Sequence, residues 1–163
     1  MKTFEEFSNR KIISFDFDGV LHKSIIKGTF HPIDYWDFDN LIPNYTVIEK
    51  VFEEYHKGNK IIVVSSRCNF ENLIKTGISE FIKKYNLPIK DIYLTDDKPK
   101  IPLLENLGVS KHYDDNYMMI NNFCGSNIEF VLVYNKDNET ILKEFNSEEC
   151  CSFDYYSDLS FLD

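Results

Sequence analysis

The chain has 163 residues, a formal net charge of −9, 43% apolar residues and 15% aromatic residues. That length sets a single domain with a sizeable core, and the apolar share excludes a disordered chain. The acidic balance argues against a general binder of nucleic acid or anionic membrane, and no apolar run reaches the length of a membrane span.

The first residues, MKTFEEFSNR, carry acids and no apolar signal region, so a cytoplasmic protein is expected. Cys68, Cys124, Cys150 and Cys151 fit no zinc spacing and are expected to be reduced thiols. Lys11–Phe17 reads as a first strand. His22 to Pro43 has no clear period and reads as a long loop. Tyr45–Lys57 has helical apolar spacing, with Thr46-x-x-Glu49 resembling a capping box and Gly58 as its stop. Lys60–Val64 is a second apolar strand, ending at Ser65-Ser66-Arg67. Phe70–Tyr85 is a second helix, Asp91–Thr95 a third strand and Ile101–Leu107 a short helix stopped by Gly108. Lys111–Asp114 and Ile128–Tyr134 complete the strands. An acidic, aromatic tail covers about 145–163. This alternation predicts an α/β, Rossmann-like parallel sheet flanked by helices, in one domain whose core spans about residues 11–135.

In such sheets the active crevice lies at the carboxyl ends of the strands. Strand one ends in Asp16 and Asp18, strand two in Ser65 and Arg67, strand four in Asp114 and Asp115. Lys98 or Lys100 precedes the short helix that leads into strand four. Clustered carboxylates repel unless a cation or a proton intervenes, and hard oxygen ligands suit Mg²⁺, which also takes phosphate oxygens. One carboxylate would serve as a covalent nucleophile and one two residues on as acid and base. A lysine and a hydroxyl would hold the transferring phosphoryl group.

These residues resemble a known family. DFDGVLH at Asp16–His22, VVSSR at Val63–Arg67, a lysine at Lys98 or Lys100, and YDDN at Tyr113–Asn116 are similar, in order, to the motifs of the haloacid dehalogenase superfamily, over about residues 11–120. The resemblance implies that Asp16 is the nucleophile and a Mg²⁺ ligand. Asp18 would be the general acid/base, offering its backbone carbonyl to the metal, and Ser65 would bind the phosphoryl oxygen. Asp114 would ligate the metal, with Asp115 direct, through water or in support. The second aspartate, Asp18, marks the family's phosphatases. Ser65-x-Arg67 also resembles the phosphatase half of polynucleotide kinase/phosphatases, where an arginine at that spacing helps the phosphate site.

Plainer roles stand beside these. Asp16 and Asp18 would cap a turn after the strand, Ser65 would cap the following helix, and Arg67 would be a surface ion-pair partner. Asp96-Asp97 competes with Asp114-Asp115 for the fourth motif, which would move the lysine upstream to Lys83 or Lys84. The histidines His22, His31, His56 and His112 show no ligand spacing and read as structural or surface residues. No large insert follows the first or second motif, so a capless or minimally capped member is expected. Its open site would suit bulky substrates. Tyr35, Trp36 and Phe38 would overhang it and stack on a base or cover the sheet edge. Three readings follow: a phosphatase acting on a phosphorylated small molecule or nucleotide, a 3′-phosphatase on nucleic-acid ends, and a non-catalytic binding protein on the same scaffold. The oligomeric state is not legible.

Overall fold

Apolar runs long enough to be buried on both faces build a parallel sheet, and the helical segments between them supply the crossovers. The computed structural model describes residues 10–23 and 37–133. Most of the long loop, with Tyr35 and Trp36, and the acidic tail lie outside the described residues. The strands are β1 (Ile12–Phe15), β2 (Lys60–Ser65), β3 (Ile89–Leu94), β4 (Val109–Asp114) and β5 (Glu129–Leu132). They form one five-stranded sheet in the order β3-β2-β1-β4-β5, with every neighbour parallel. The helices are α1 (Tyr45–His56), α2 (Leu73–Lys84), α3 (Lys100–Leu107) and the single turn α4 (Ile120–Phe123).

Period-two alternation divides the core between the two faces. On β2, Ile61 and Val63 join Phe15, Phe17 and the α1 and α2 residues Val47, Val51, Ile74, Ile78 and Phe81. Ile62 and Val64 face the other way, with Leu104 of α3, Ile120 and Phe123 of α4, and Phe130 of β5. The helices therefore cover both faces of the described sheet. The chain first builds outward from β1 to β2 and β3, then crosses back to β4 beside β1. That reversal makes the carboxyl ends of β1 and β4 the topological switch point, where a ligand crevice opens.

Local expectations hold with corrections. Thr46-x-x-Glu49 does not form a capping box: Asn44 is the N-cap and makes no side-chain cap bond. Its backbone is instead tied to the first motif, donating from Asn44 N to Leu21 O at 2.8 Å. The second helix does not begin at Phe70. A 3₁₀ turn at Phe70–Asn72 comes first, and Asn72 sits at φ 63° before α2 starts, a left-handed conformation that asparagine tolerates. Cys124 is disulfide-bonded, which overturns the expectation of a reduced thiol there, and Cys68 is an exposed thiol.

Candidate active site

β1 delivers Asp16 to the switch point with its backbone still in the ladder. Asp16 N donates to Tyr113 O of β4 at 2.8 Å. The chain then leaves the sheet, and Gly19 at φ 75° makes the turn, a left-handed position that suits glycine. Asp16 is only 7% exposed. Lys100, the first residue of α3 and 4% exposed, reaches under it. Lys100 Nζ lies 3.0 Å from Asp16 Oδ1 and 2.7 Å from Asp114 Oδ2. Asp114 Oδ2 also meets His112 Nε2 at 2.8 Å, and Asn116 N donates to Asp114 Oδ1 at 3.0 Å. Behind this, Ser14 Oγ lies 2.6 Å from His112 Nδ1. Ser14, His112, Asp114, Lys100 and Asp16 thus form one continuous buried chain.

A second constellation holds Asp18. Arg67 grips it with both prongs, Nε to Oδ2 at 2.7 Å and an Nη to Oδ1 at 2.6 Å. His22 Nε2 adds a contact to Asp18 Oδ1 at 2.8 Å. The guanidinium lies 5.7 Å from the Phe17 ring centroid and 5.0 Å from that of Phe38, within cation–π range. Ser65 is fully buried at the end of β2, and its Oγ accepts Arg67 N–H at 3.2 Å. It does not cap α2, since Asn72 occupies the N-cap. The turn after β3 clasps this loop: Asp97 N donates to Ser66 O at 2.8 Å and Asp96 N to Arg67 O at 3.3 Å.

Proton affinities follow from these contacts. The Asp16 carboxyl is pushed up to about 7, by burial first and by the Asp114 charge second, against the pull of Lys100. Asp115 is also raised well above the usual range, by burial and then by the charges of Asp16 and Asp114. Asp114 is held below the usual range because Lys100 and His112 outweigh its desolvation. Asp18 is held low as well: burial works against the charged form, but Arg67 and His22 prevail. Burial lowers the basicity of His112 despite Asp114. Lys100 stays an ammonium because Asp114 and Asp16 more than offset its burial.

One carboxylate oxygen from each of Asp16, Asp114 and Asp115 lies within 4.8 Å of the other two. Three carboxyl groups share one ammonium, and two of them take up protons more readily than usual, through burial first and the neighbouring carboxylate charges second. An all-oxygen donor set with uncompensated negative charge fits a small hard cation such as Mg²⁺.

The predicted residues therefore fall into two adjoining groups. Asp16, Lys100, Asp114 and Asp115 converge directly, and Asp18, Arg67 and Ser65 flank them. Lys98 is exposed on the turn after β3, and Lys100 alone of the two lysines bridges the carboxylates. Asp96 and Asp97 are exposed at the end of the edge strand β3, one strand removed from β1. Arg67 is not a surface residue but 6% exposed. The sequence reading missed His22, His112 and Ser14. The spacings were present, His22 four residues after Asp18 and His112 two before Asp114. The Ser14–His112 pairing, however, depends on the β1–β4 register.

No family model and no curated protein matches the sequence. Solved structures do resemble it. A chain of the Pnkp1/Rnl/Hen1 complex aligns with a TM-score of 0.62 and 21% identity over 78% of this chain and 46% of that one. The Pnkp1/Rnl/Hen1 RNA repair complex gives the same TM-score of 0.62 at 21% identity, with 43% of its chain covered. The D,D-heptose 1.7-bisphosphate phosphatase from B. bronchiseptica, complexed with magnesium and phosphate, aligns with a TM-score of 0.54 and 11% identity over 76% of this chain and 80% of that one. At these identities the likeness is one of fold, and it agrees with the α/β parallel sheet flanked by helices that the sequence predicts. This chain spans less than half the length of the first two chains.

Proposed function

We propose that the chain is a Mg²⁺-dependent phosphomonoester hydrolase that works through an aspartyl-phosphate on Asp16. The observation that supports it best is the buried Lys100 ammonium bridging Asp16 and Asp114 at 3.0 and 2.7 Å, with Asp115 alongside and Asp18 two residues on. The fold shared with a phosphatase solved with magnesium and phosphate is in keeping with it.

Asp16 attacks phosphorus: its carboxylate oxygen forms the new P–O bond as the bond to the leaving oxygen breaks. Asp18 gives that oxygen a proton, then takes one from the water that hydrolyses the aspartyl-phosphate and releases inorganic phosphate. Ser65 and Arg67 bind phosphoryl oxygens. An anionic phosphoryl group competes with Asp18 for the Arg67 fork, and the released Asp18 carboxyl is then able to carry a proton. Lys100 holds Asp16 in place and stabilises charge on the transferring group. Mg²⁺, held by Asp16, Asp114, Asp115 and the Asp18 carbonyl, would supply further neutralisation of that charge.

A second reading, a 3′-phosphatase on nucleic-acid ends, is favoured by the likeness to chains of an RNA repair complex. The net charge of −9 weighs against a nucleic-acid partner. Phosphate release from an aryl phosphate in Mg²⁺ tests the first reading: activity is expected in the native chain and its abolition in Asp16→Asn. A native chain inactive on sugar, nucleotide, oligonucleotide and aryl phosphates overturns the enzyme and leaves a binding scaffold. Turnover of a 3′-phosphorylated oligonucleotide far above that of mononucleotides selects the second.

A further inference from the structure

An imidazole with both nitrogens engaged has a fixed task. His112 is fully buried, so its two ring nitrogens have no access to water. Nε2 faces Asp114 Oδ2 at 2.8 Å and Nδ1 faces Ser14 Oγ at 2.6 Å. An ionised carboxylate only accepts, so Nε2 carries the hydrogen and donates it. The Ser14 hydroxyl pairs with Nδ1 and holds the ring in that orientation. Ser14 has one hydrogen to give. The other oxygen near it, Lys111 O at 3.5 Å, is much more distant. The ring plane is held too, stacked on Phe123 at 6.0 Å between centroids with 9° between planes. Both nitrogens being used, His112 is not itself a cation ligand and acts only through Asp114.

Asp114 Oδ2 therefore receives two donors, His112 from β4 itself and Lys100 from α3, while Asn116 N fixes Oδ1. Removal of the Nε2–H would leave Lys100 the sole side-chain anchor, and Lys100 also serves Asp16. The carboxylate would then follow the lysine rather than the sheet.

We propose that the Ser14–His112 pair is a positioning relay that orients Asp114 for a divalent cation, Ser14 holding the imidazole and His112 fixing the carboxylate. The proposal rests on the metal-dependent reading above. Partners behind a metal ligand typically change affinity or activity by about 10- to 100-fold when removed.

The test is calorimetric titration of the full chain with Mg²⁺, together with Mn²⁺ binding followed by electron paramagnetic resonance, neither of which needs turnover. His112→Phe fills the same space beside Phe123 and Phe130 without a donor, and is expected to weaken binding about tenfold or more. His112→Gln keeps an N–H donor at a similar reach and is expected to restore most of it, which mere cavity filling does not explain. Ser14→Ala removes only the hydroxyl on Nδ1 and is expected to shift affinity in the same direction by a smaller factor. It decides the matter alone should His112→Phe not fold. Native affinity in a folded His112→Phe or, failing that variant, in Ser14→Ala overturns the relay while leaving the hydrolase reading intact. A native chain that binds neither ion overturns both.

Discussion

Lys100 is an unusual choice for the first residue of a helix, where the macrodipole disfavours positive charge. The carboxylates of Asp16 and Asp114 compensate for that position, and the ammonium in turn keeps Asp114 ionised in a fully buried setting. Truncating the lysine strands buried carboxyl groups, and breaking a buried pair in this way costs about 3–5 kcal/mol. Lys100→Met is therefore expected to lower the urea midpoint sharply and to remove the proposed phosphatase activity. Lys98→Ala, on the exposed turn after β3, is expected to change neither by more than about 0.5 kcal/mol or its equivalent in rate. Equal effects of the two substitutions on unfolding and on turnover would contradict the assignment of the bridging role to Lys100.

At the scale of elements, α2 and the 3₁₀ turn at Phe38–Asn40 meet at a glycine. A Cβ on Gly77 would run into the Phe38 ring, the same ring that lies against Arg67. Glycine inside a helix normally costs up to about 1 kcal/mol relative to alanine, so Gly77→Ala would ordinarily stabilise. Here overpacking of about 1–3 kcal/mol opposes that gain, and net destabilisation is expected by urea unfolding. In a Phe38→Ala background the same Gly77→Ala change is expected to become stabilising, by about 0.5–1 kcal/mol. The same sign in both backgrounds would mean that Phe38 does not occupy the glycine socket. This contact was not legible in the sequence, because nothing local links residues so far apart as Phe38 and Gly77. The strands were legible for the opposite reason: Ile61–Val64 is buried on both faces and reads as an unbroken apolar run. Asp16 and Asp114 were legible because carboxylates that end apolar strands are chemically out of place. His112 and Ser14 were not, because a register two strands long, rather than either segment, brings them together.

Across the whole molecule, the return of the chain from β3 to β4 gathers acids onto one edge of an already acidic protein with net charge −9. That concentration has a signature in stability against pH. Asp16 is raised from an ordinary 3.8 to about 7, and Asp115 is raised as well. The metal-free folded chain holds these protons more tightly than the unfolded one, so the two groups favour folding at low pH and lose that contribution as pH rises, Asp16 towards about 7. Asp18 and Asp114, held low, act oppositely: their contribution is present above about pH 4 and disappears as pH falls below it. Mg²⁺ bound as proposed would need ionised carboxylates, so its binding would release the protons that Asp16 and Asp115 retain. Mg²⁺ at a hundred times its dissociation constant adds about 2.7 kcal/mol, or about 5–10 °C in Tm for a chain of this size. Thermal unfolding at fixed Mg²⁺ is therefore expected to show a small Tm rise near pH 5 that grows to this size by pH 8. Asp16→Asn combined with Asp115→Asn is expected to abolish both the metal-induced rise and the loss of metal-free stability on going from pH 4 to 7. A metal effect equal at all pH values, or one that survives in the double variant, would separate cation binding from these carboxyl groups and place it elsewhere on the acidic surface.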